Sequence, residues 1–293
     1  MHSPVRWPGG KSRLMWAILP NVPDHDCYCE TCCGSAAVFW AKPREASRSE
    51  VLNDVDGELV NFYQVLHKRG RRLAGELDGM PYSRALFRQV LADEPHGRFA
   101  RARRFWYLNR VAFGAKRRGE SFGVAKAKRM AVLPARILTE LDAVIERLRG
   151  VVFEAVDVCR LIDLYDSRRT FFFIDPPYWG TSQDYAVQFP EADHLRLADR
   201  LRLVKGTWLL TYNDDPAVRR TYAARRLTSV ASRYTAGCNA GHAQATDEGR
   251  QLLISNRPLR QPPEGTQYTG ISPRHHPGSS PPVARQNPAS PPK

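Results

Sequence analysis

The sequence predicts an α/β fold: a mainly parallel sheet with helices on both faces, interrupted by an inserted, mostly helical unit. Three observations predict it. Short apolar runs alternate with longer helical stretches through residues 1–256, the rhythm of repeated strand–helix–strand units. That rhythm breaks between about residues 70 and 149, where helical patterning takes over. The run F-F-F-I at 171–174 is continuously apolar, as a central strand covered on both faces should be.

In chain order, the first expected strand is Asp26–Glu30, followed by a tight turn at Cys32–Ser35 and a helix over Ala36–Lys42. Cys27 and Cys29 suit such a strand, since free cysteine behaves as a small buried hydrophobe. A second strand at Glu50–Asn53 leads into a helix over Gly57–Lys68. Helices at Tyr82–Ala92, Ala102–Phe113 and Ala135–Leu148 make up the insert. Strands resume at Val151–Val156, Thr170–Ile174, Thr207–Tyr212 and Leu252–Ser255, with a helix over Ala192–Val204. The chain therefore divides into a sheet domain (1–69 and 150–256), an inserted helical unit (70–149) and a tail (257–293). The tail has ten prolines in 37 residues and is expected to be disordered, because it has too little apolar surface to order itself.

With 293 residues and 42% hydrophobic content, the chain can build a large core without staples. No apolar run approaches a membrane span, and residues 1–11 lack the apolar core of a secretory signal. A cytoplasmic setting with reduced thiols is expected. Net charge is +14, yet residues 101–130 alone carry ten Lys/Arg against one acid, Glu120. A charge run is ordinarily a solvated face. Concentrating almost the whole excess of the body in one stretch indicates a polyanion partner. Within it, Phe105, Trp106 and Tyr107 read as helix core, whereas G-A-K-R-R-G-E-S-F-G at 114–123 is a glycine-bracketed basic tip. Lys116, Arg117 and Arg118 are its candidate contacts to phosphates or base edges.

Four of the six cysteines fall in C-Y-C-E-T-C-C at 27–33. Structural zinc sites use well-separated C-x-x-C-type pairs; the spacing here lacks a distant matching pair, and no metal is expected. G-G-K-S at 9–12 is not a phosphate loop, because Val5 stands where that motif needs glycine. A plain turn is an equal reading of Gly9-Gly10.

Open α/β sheets bind ligands beyond the C-terminal ends of their strands, so the residues that follow each strand are the candidates. Most specific is D-P-P-Y at 175–178, directly after the apolar strand. Two prolines end the ladder and hold the backbone extended. Asp175, the Pro176 carbonyl, Pro177 and Tyr178 then form a rigid site with two acceptors and one aromatic face. Such a site suits an exocyclic amine on a flat base. Accepting both N–H groups would localise a lone pair otherwise delocalised into the ring. Asp54 lies 20 residues past Gly34, the spacing at which an acid holds a ribose hydroxyl; capping of the helix from Gly57 is the alternative. Asp157 is a cofactor candidate or a helix cap, and Asn213–Asp215 cap a helix before Pro216 or rim the base pocket.

Together these stretches resemble the Dam-like class of DNA adenine-N6 methyltransferases. R-W-P-G-G-K (6–11) is similar to that class's K-W-x-G-G-K, E-T-C-C-G-S-A-A-V-F (30–39) to its E-P-F-x-G-S-G-x-V-F, and N-D-V-D-G-E-L-V-N-F-Y (53–63) to its N-D-x-N-x-x-L-x-N-F-Y. D-P-P-Y-W-G, L-L-T-Y-N-D (209–214) and L-L-I-S-N (252–256) follow in the family's order. The resemblance implies a Rossmann-like methyltransferase sheet, S-adenosylmethionine as cofactor, and double-stranded DNA as partner. It also implies flipping of the target base into the D-P-P-Y pocket. It assigns Trp7 and Lys11 to the cofactor or its pocket, and makes Glu30, Gly34 and Asp54 cofactor residues beside Asp175. Cytosine-N4 methylation and a decayed, non-catalytic DNA-binding scaffold are the competing readings. GATC-reading members carry tyrosine and asparagine before the R-G-E step; this chain has Ala115, Lys116 and Arg117 there, a departure from GATC specificity.

Overall fold

The computed structural model describes residues 1–115, 121–124, 130–180, 188–233 and 248–260. Lys116, Arg117 and Arg118 lie outside the described residues, as does the tail from residue 261 onward. A seven-stranded sheet organises the rest. Its strands are β1 (Cys27–Glu30), β2 (Ser49–Asn53), β3 (Val152–Glu154), β4 (Thr170–Ile174), β5 (Thr207–Asn213), β6 (Arg226–Arg233) and β7 (Glu248–Ser255). Their spatial order is β3-β2-β1-β4-β5-β7-β6. Neighbours from β3 to β5 are parallel, and β7 runs antiparallel between β5 and β6. The chain moves outward from β1 through β2 to β3, then returns to β4 on the other side of β1. This reversal separates the loops after β1 and β4 and opens a crevice at their C-terminal ends.

Helices cover both faces: α1 (Met15–Ile18), α2 (Ala37–Ala41), α3 (Gly57–Asp78), α4 (Arg84–Ala92), α5 (Arg98–Val111), α6 (Ala135–Arg147), α7 (Val158–Tyr165), α8 (Glu191–Arg202) and α9 (Pro216–Thr221). Successive strand residues point to opposite faces, so β4 supplies both layers. Phe171 and Phe173 pack with Tyr28, Leu52, Leu209 and residues of α2, α3, α5 and α6. Phe172 and Ile174 pack with Cys29, Val51, Trp208 and residues of α7 and α8. This two-sided burial is why the run carries no polar alternation.

Several boundaries differ from the expectation, each for a physical reason. The helix from Gly57 passes Lys68 to Asp78 but kinks at Arg69 (φ −139°, ψ 28°). The next residue, Gly70, lets α6 approach: a Cβ there would meet Ile145 at 2.8 Å. α5 starts at Arg98 and stops at Val111, because Ala112 leaves the helix to bridge Phe122. The strand ending at Ser255 begins at Glu248, and its partner β6 was not foreseen. The cap readings of Asp157 and of Asn213–Asp215 are met by α7 and α9, which Asp157 and Asp215 cap through their side chains. Among the described residues no helix is long and apolar enough to cross a membrane.

Candidate active site

At the C-terminal ends of β1, β2 and β4 lies a cleft of about 200 Å³. Trp7, Cys32, Asp54, Val55, Asp157, Asp175, Pro177 and Phe189 are among its lining residues. A smaller pocket beside it is lined by Lys11, Glu30, Gly34 and Phe173, and shares Trp7, Cys32 and Asp175 with the larger one. The sequence-predicted residues therefore converge, and Asp175 stands where the two spaces meet.

Asp175 is anchored through both oxygens. Lys11 Nζ donates to Oδ2 at 2.7 Å, and the Thr211 hydroxyl donates to Oδ1 at 2.6 Å. Lys11 is itself 4% exposed and also donates to the Gly9 carbonyl at 2.6 Å. Its ammonium lies 4.9 Å from the centre of the Tyr178 ring. Thr211 lies on β5, directly beside β4, which explains its reach. It lies within the L-L-T-Y-N-D stretch, where sequence reasoning assigned the threonine no role. Tyr178 differs from expectation. It is buried, it lines neither space, and its hydroxyl donates to Gln251 Oε1 at 2.7 Å. Gln251, opposite Asn213 in the β5–β7 ladder, is a second residue that sequence reasoning missed, because β7 was expected to start after it. Pro176 is buried and Pro177 half-buried.

The loop after β1 is held by Asp54. Its Oδ2 accepts the Gly34 N–H at 2.9 Å, and its Oδ1 accepts the Asp56 N–H at 3.0 Å. The cap of α3 is Asp56 rather than Asp54. Gly34 has φ +47°, and a Cβ there would lie 2.6 Å from the Trp7 indole. Glycine is needed here for its left-handed backbone and because Trp7 fills the space a side chain would take. Asn53, also unforeseen, joins two loops: Nδ2 donates to the carbonyls of Thr31 (2.7 Å) and Val156 (3.0 Å), and Oδ1 accepts the Val156 N–H at 3.0 Å.

Glu30 is buried, and its Oε2 accepts from the Tyr28 hydroxyl (2.7 Å) and the Phe39 N–H (2.9 Å). Burial pushes its carboxyl up to about 7 despite those bonds. Asp157 caps α7 and forms a two-pronged pair with Arg196, both bonds at 2.7 Å. Asp215 caps α9, while Asp214 pairs with Arg219. A ring cluster backs the site: His194 stacks on Trp179 (4.6 Å) and meets Phe189 edge-on (4.7 Å), with Nδ1 2.6 Å from the Tyr212 hydroxyl. Burial lowers this histidine to about 4, so it is a neutral structural group at physiological pH.

Cys27 and Cys29 face the apolar layer, with sulfurs 3.7 Å apart. Cys32 and Cys33 are thiols that burial pushes well up. Among the described residues no group of three or more His, Cys, Asp or Glu is placed to hold a metal.

The strand order, the crevice at its reversal point and the anchored D-P-P-Y carboxylate define a Rossmann-like methyltransferase of the amino-methylating class. Comparison with known proteins narrows the class: residues 7–236 match the D12 class N6 adenine-specific DNA methyltransferase model. The chain belongs to that family and is an adenine-specific DNA methyltransferase. It is 23% identical over 259 residues to the type II methyltransferase M.CviBI of Paramecium bursaria Chlorella virus NC1A, covering 86% of this chain and 98% of that protein. It is 27% identical over 192 residues to the DNA N-6-adenine-methyltransferase of Escherichia phage P1, covering 60% of this chain but 24% of the phage protein. A Thermoplasma acidophilum crystal structure aligns over 83% of both chains at 9% identity with a TM-score of 0.34.

Proposed function

We propose that this chain transfers a methyl group from S-adenosylmethionine to N6 of an adenine flipped out of double-stranded DNA, with Asp175 as the principal acceptor for the target amine. The observation that carries this reading is the position of Asp175, fixed by Lys11 and Thr211 at the junction of the two spaces. Both oxygens are anchored, yet each carboxylate oxygen accepts more than one hydrogen bond. An incoming N–H therefore meets an acceptor that needs no reorganisation, the condition under which electrostatic stabilisation is most effective. The Pro176 carbonyl is the second acceptor.

The cleft residues fit S-adenosylmethionine. Asp54 and Asp157 bring carboxylates to the rim of a cleft in a protein of net charge +14, suited to a ribose diol and to a cationic ligand. Val55, 54% exposed at that rim, offers an apolar surface to a flat base. When bound, the cofactor supplies an electrophilic methyl group. The protein's own part is to orient the amine, direct its lone pair and exclude water. Trp7, Lys11, Glu30 and Gly34 act on the loops that shape the pocket, by the contacts given above. The basic tip with Lys116, Arg117 and Arg118 is proposed to grip the DNA backbone while the base is extruded.

The test is product analysis. The chain is incubated with methyl-labelled S-adenosylmethionine and unmethylated genomic DNA, which is then digested to nucleosides. Label in N6-methyldeoxyadenosine is the expected result. Label in N4-methyldeoxycytidine, or none, would contradict the reading.

A further inference from the structure

We infer that Arg6 and Asn109 form a clasp that couples the paired segments 111–113, at the end of α5, and 121–123 to the loop that anchors the catalytic carboxylate. The inference rests on the reading of Asp175 and of Lys116, Arg117 and Arg118 given under the proposed function.

The two residues are 103 positions apart and joined in both directions. Asn109 is buried (3% exposed). Its Oδ1 accepts the Arg6 backbone N–H at 3.0 Å, and its Nδ2 donates to the Arg6 carbonyl at 2.7 Å. The side-chain amide thus pairs with the Arg6 main chain as a neighbouring strand would. In return, Arg6 Nε donates to the Asn109 carbonyl at 3.1 Å. Its Nη2 donates to the carbonyls of Asn109 (2.5 Å), Arg110 (2.7 Å) and Ala112 (2.9 Å). These carbonyls lie at and just beyond the C-terminus of α5, where a helix has acceptors without partners and favours a cation. A further bond, Trp106 Nε1 to the Pro4 carbonyl at 3.1 Å, fixes the same segment to α5.

Each end of this connection leads to a functional part. Beyond Arg6, Trp7 fills the space over Gly34 and Lys11 donates to Asp175. Beyond Asn109, the chain enters a hairpin stem: Ala112 bridges Phe122, the Phe113 N–H donates to Ser121 O at 2.7 Å, and the Gly123 N–H to Val111 O at 2.9 Å. Lys116, Arg117 and Arg118 fall between these two paired segments in sequence and lie outside the described residues. A shift of the stem when DNA is gripped must carry the Arg6 main chain with it or break these bonds. Arg6 and Asn109 are therefore positioning residues, acting on Asp175 through Lys11.

The test uses the full chain, unmethylated genomic DNA and labelled S-adenosylmethionine, with variants Arg6→Ala, Arg6→Lys, Asn109→Ala and Asn109→Asp, and the double alanine variant. The expected result is a fall in kcat at saturating DNA of about tenfold to a hundredfold, the scale of a small misplacement of reacting groups. Cofactor affinity and DNA affinity should stay near wild type, while Tm falls with the buried hydrogen bonds lost and the chain stays folded at the assay temperature. The double variant should be no worse than the worse single one, since one connection is lost. Arg6→Lys should remain impaired, because its ammonium stands about one bond short of Nη2 and the Nε donor to Asn109 is lost. A rise in DNA Kd with kcat unchanged, restored by Arg6→Lys, would make Arg6 a phosphate contact and overturn the clasp. Loss of cofactor binding in every variant would make the pair a folding contact and also overturn it. An inactive wild-type chain would overturn the proposed function, and the clasp with it; an active one with either result above overturns the clasp alone.

Discussion

At the scale of single residues, the site depends on side chains that hold other side chains. Thr211 contributes one short hydrogen bond to a carboxylate, and bonds to charged groups are worth about 1.5–3 kcal/mol. Thr211→Val keeps the shape and removes the donor. Steady-state kinetics should show kcat reduced by roughly tenfold to a hundredfold, with Thr211→Ser close to wild type. Full activity in the valine variant would remove Thr211 from the mechanism. Glu30 gives a prediction with a definite sign. Its folded carboxyl is raised to about 7 by burial, above its ordinary value, so the folded state holds the proton more tightly. Its contribution to stability is therefore present at low pH and is lost as pH rises through about 7. His194, lowered to about 4, has the opposite slope: its contribution is lost as pH falls. Denaturation of wild type and Glu30→Gln across pH 4 to 8 separates them, because His194 cancels in the difference. The wild type should lose stability relative to the glutamine variant as pH rises; a flat difference would contradict the assignment.

At the scale of elements, a buried ion cluster joins the sheet to its helical cover. Glu50 on β2 accepts from Arg147 at the end of α6 (2.5 and 2.8 Å) and from Lys42 just after α2. All three side chains are under one tenth exposed. Glu50→Ala would strand two buried cations, at a cost of about 3–5 kcal/mol, measurable in a denaturant titration. A change under 1 kcal/mol would mean water reaches the cluster. The elements also show what was legible in the sequence. The central strand and its D-P-P-Y end were readable because two-sided burial leaves an uninterrupted apolar run. β6 was not, since R-L-T-S-V-A-S-R mixes small and polar residues at a sheet edge and, among the described residues, pairs only with β7. The positions of Lys11, Gly34, Asp54 and Asp175 around one crevice were anticipated from motif and spacing. The holding roles of Thr211, Gln251 and Asn53 were not. Each acts across the sheet on a residue at least 22 positions away, and such contacts leave no local periodic signal. The missing side chain of Gly34 makes room for Trp7.

At the scale of the whole molecule, a carboxylate-lined cleft sits in a basic protein. In the proposed reading that arrangement separates two binding tasks: the positive body attracts the polyanion, and the cleft takes the cationic methyl donor. The strand order β3-β2-β1-β4-β5-β7-β6 puts β4 in the centre, so Asp175 is held from one side by the N-terminal loop and from the other by β5. The central claim is that Asp175 activates the amine rather than binding DNA. The most direct measurement compares wild type and Asp175→Ala for methyl transfer to unmethylated genomic DNA and, in parallel, for DNA binding. Transfer by the wild type, loss of at least about a thousandfold in the variant and DNA affinity within a few fold are expected. Methyl transfer by Asp175→Ala at the wild-type rate would contradict that claim.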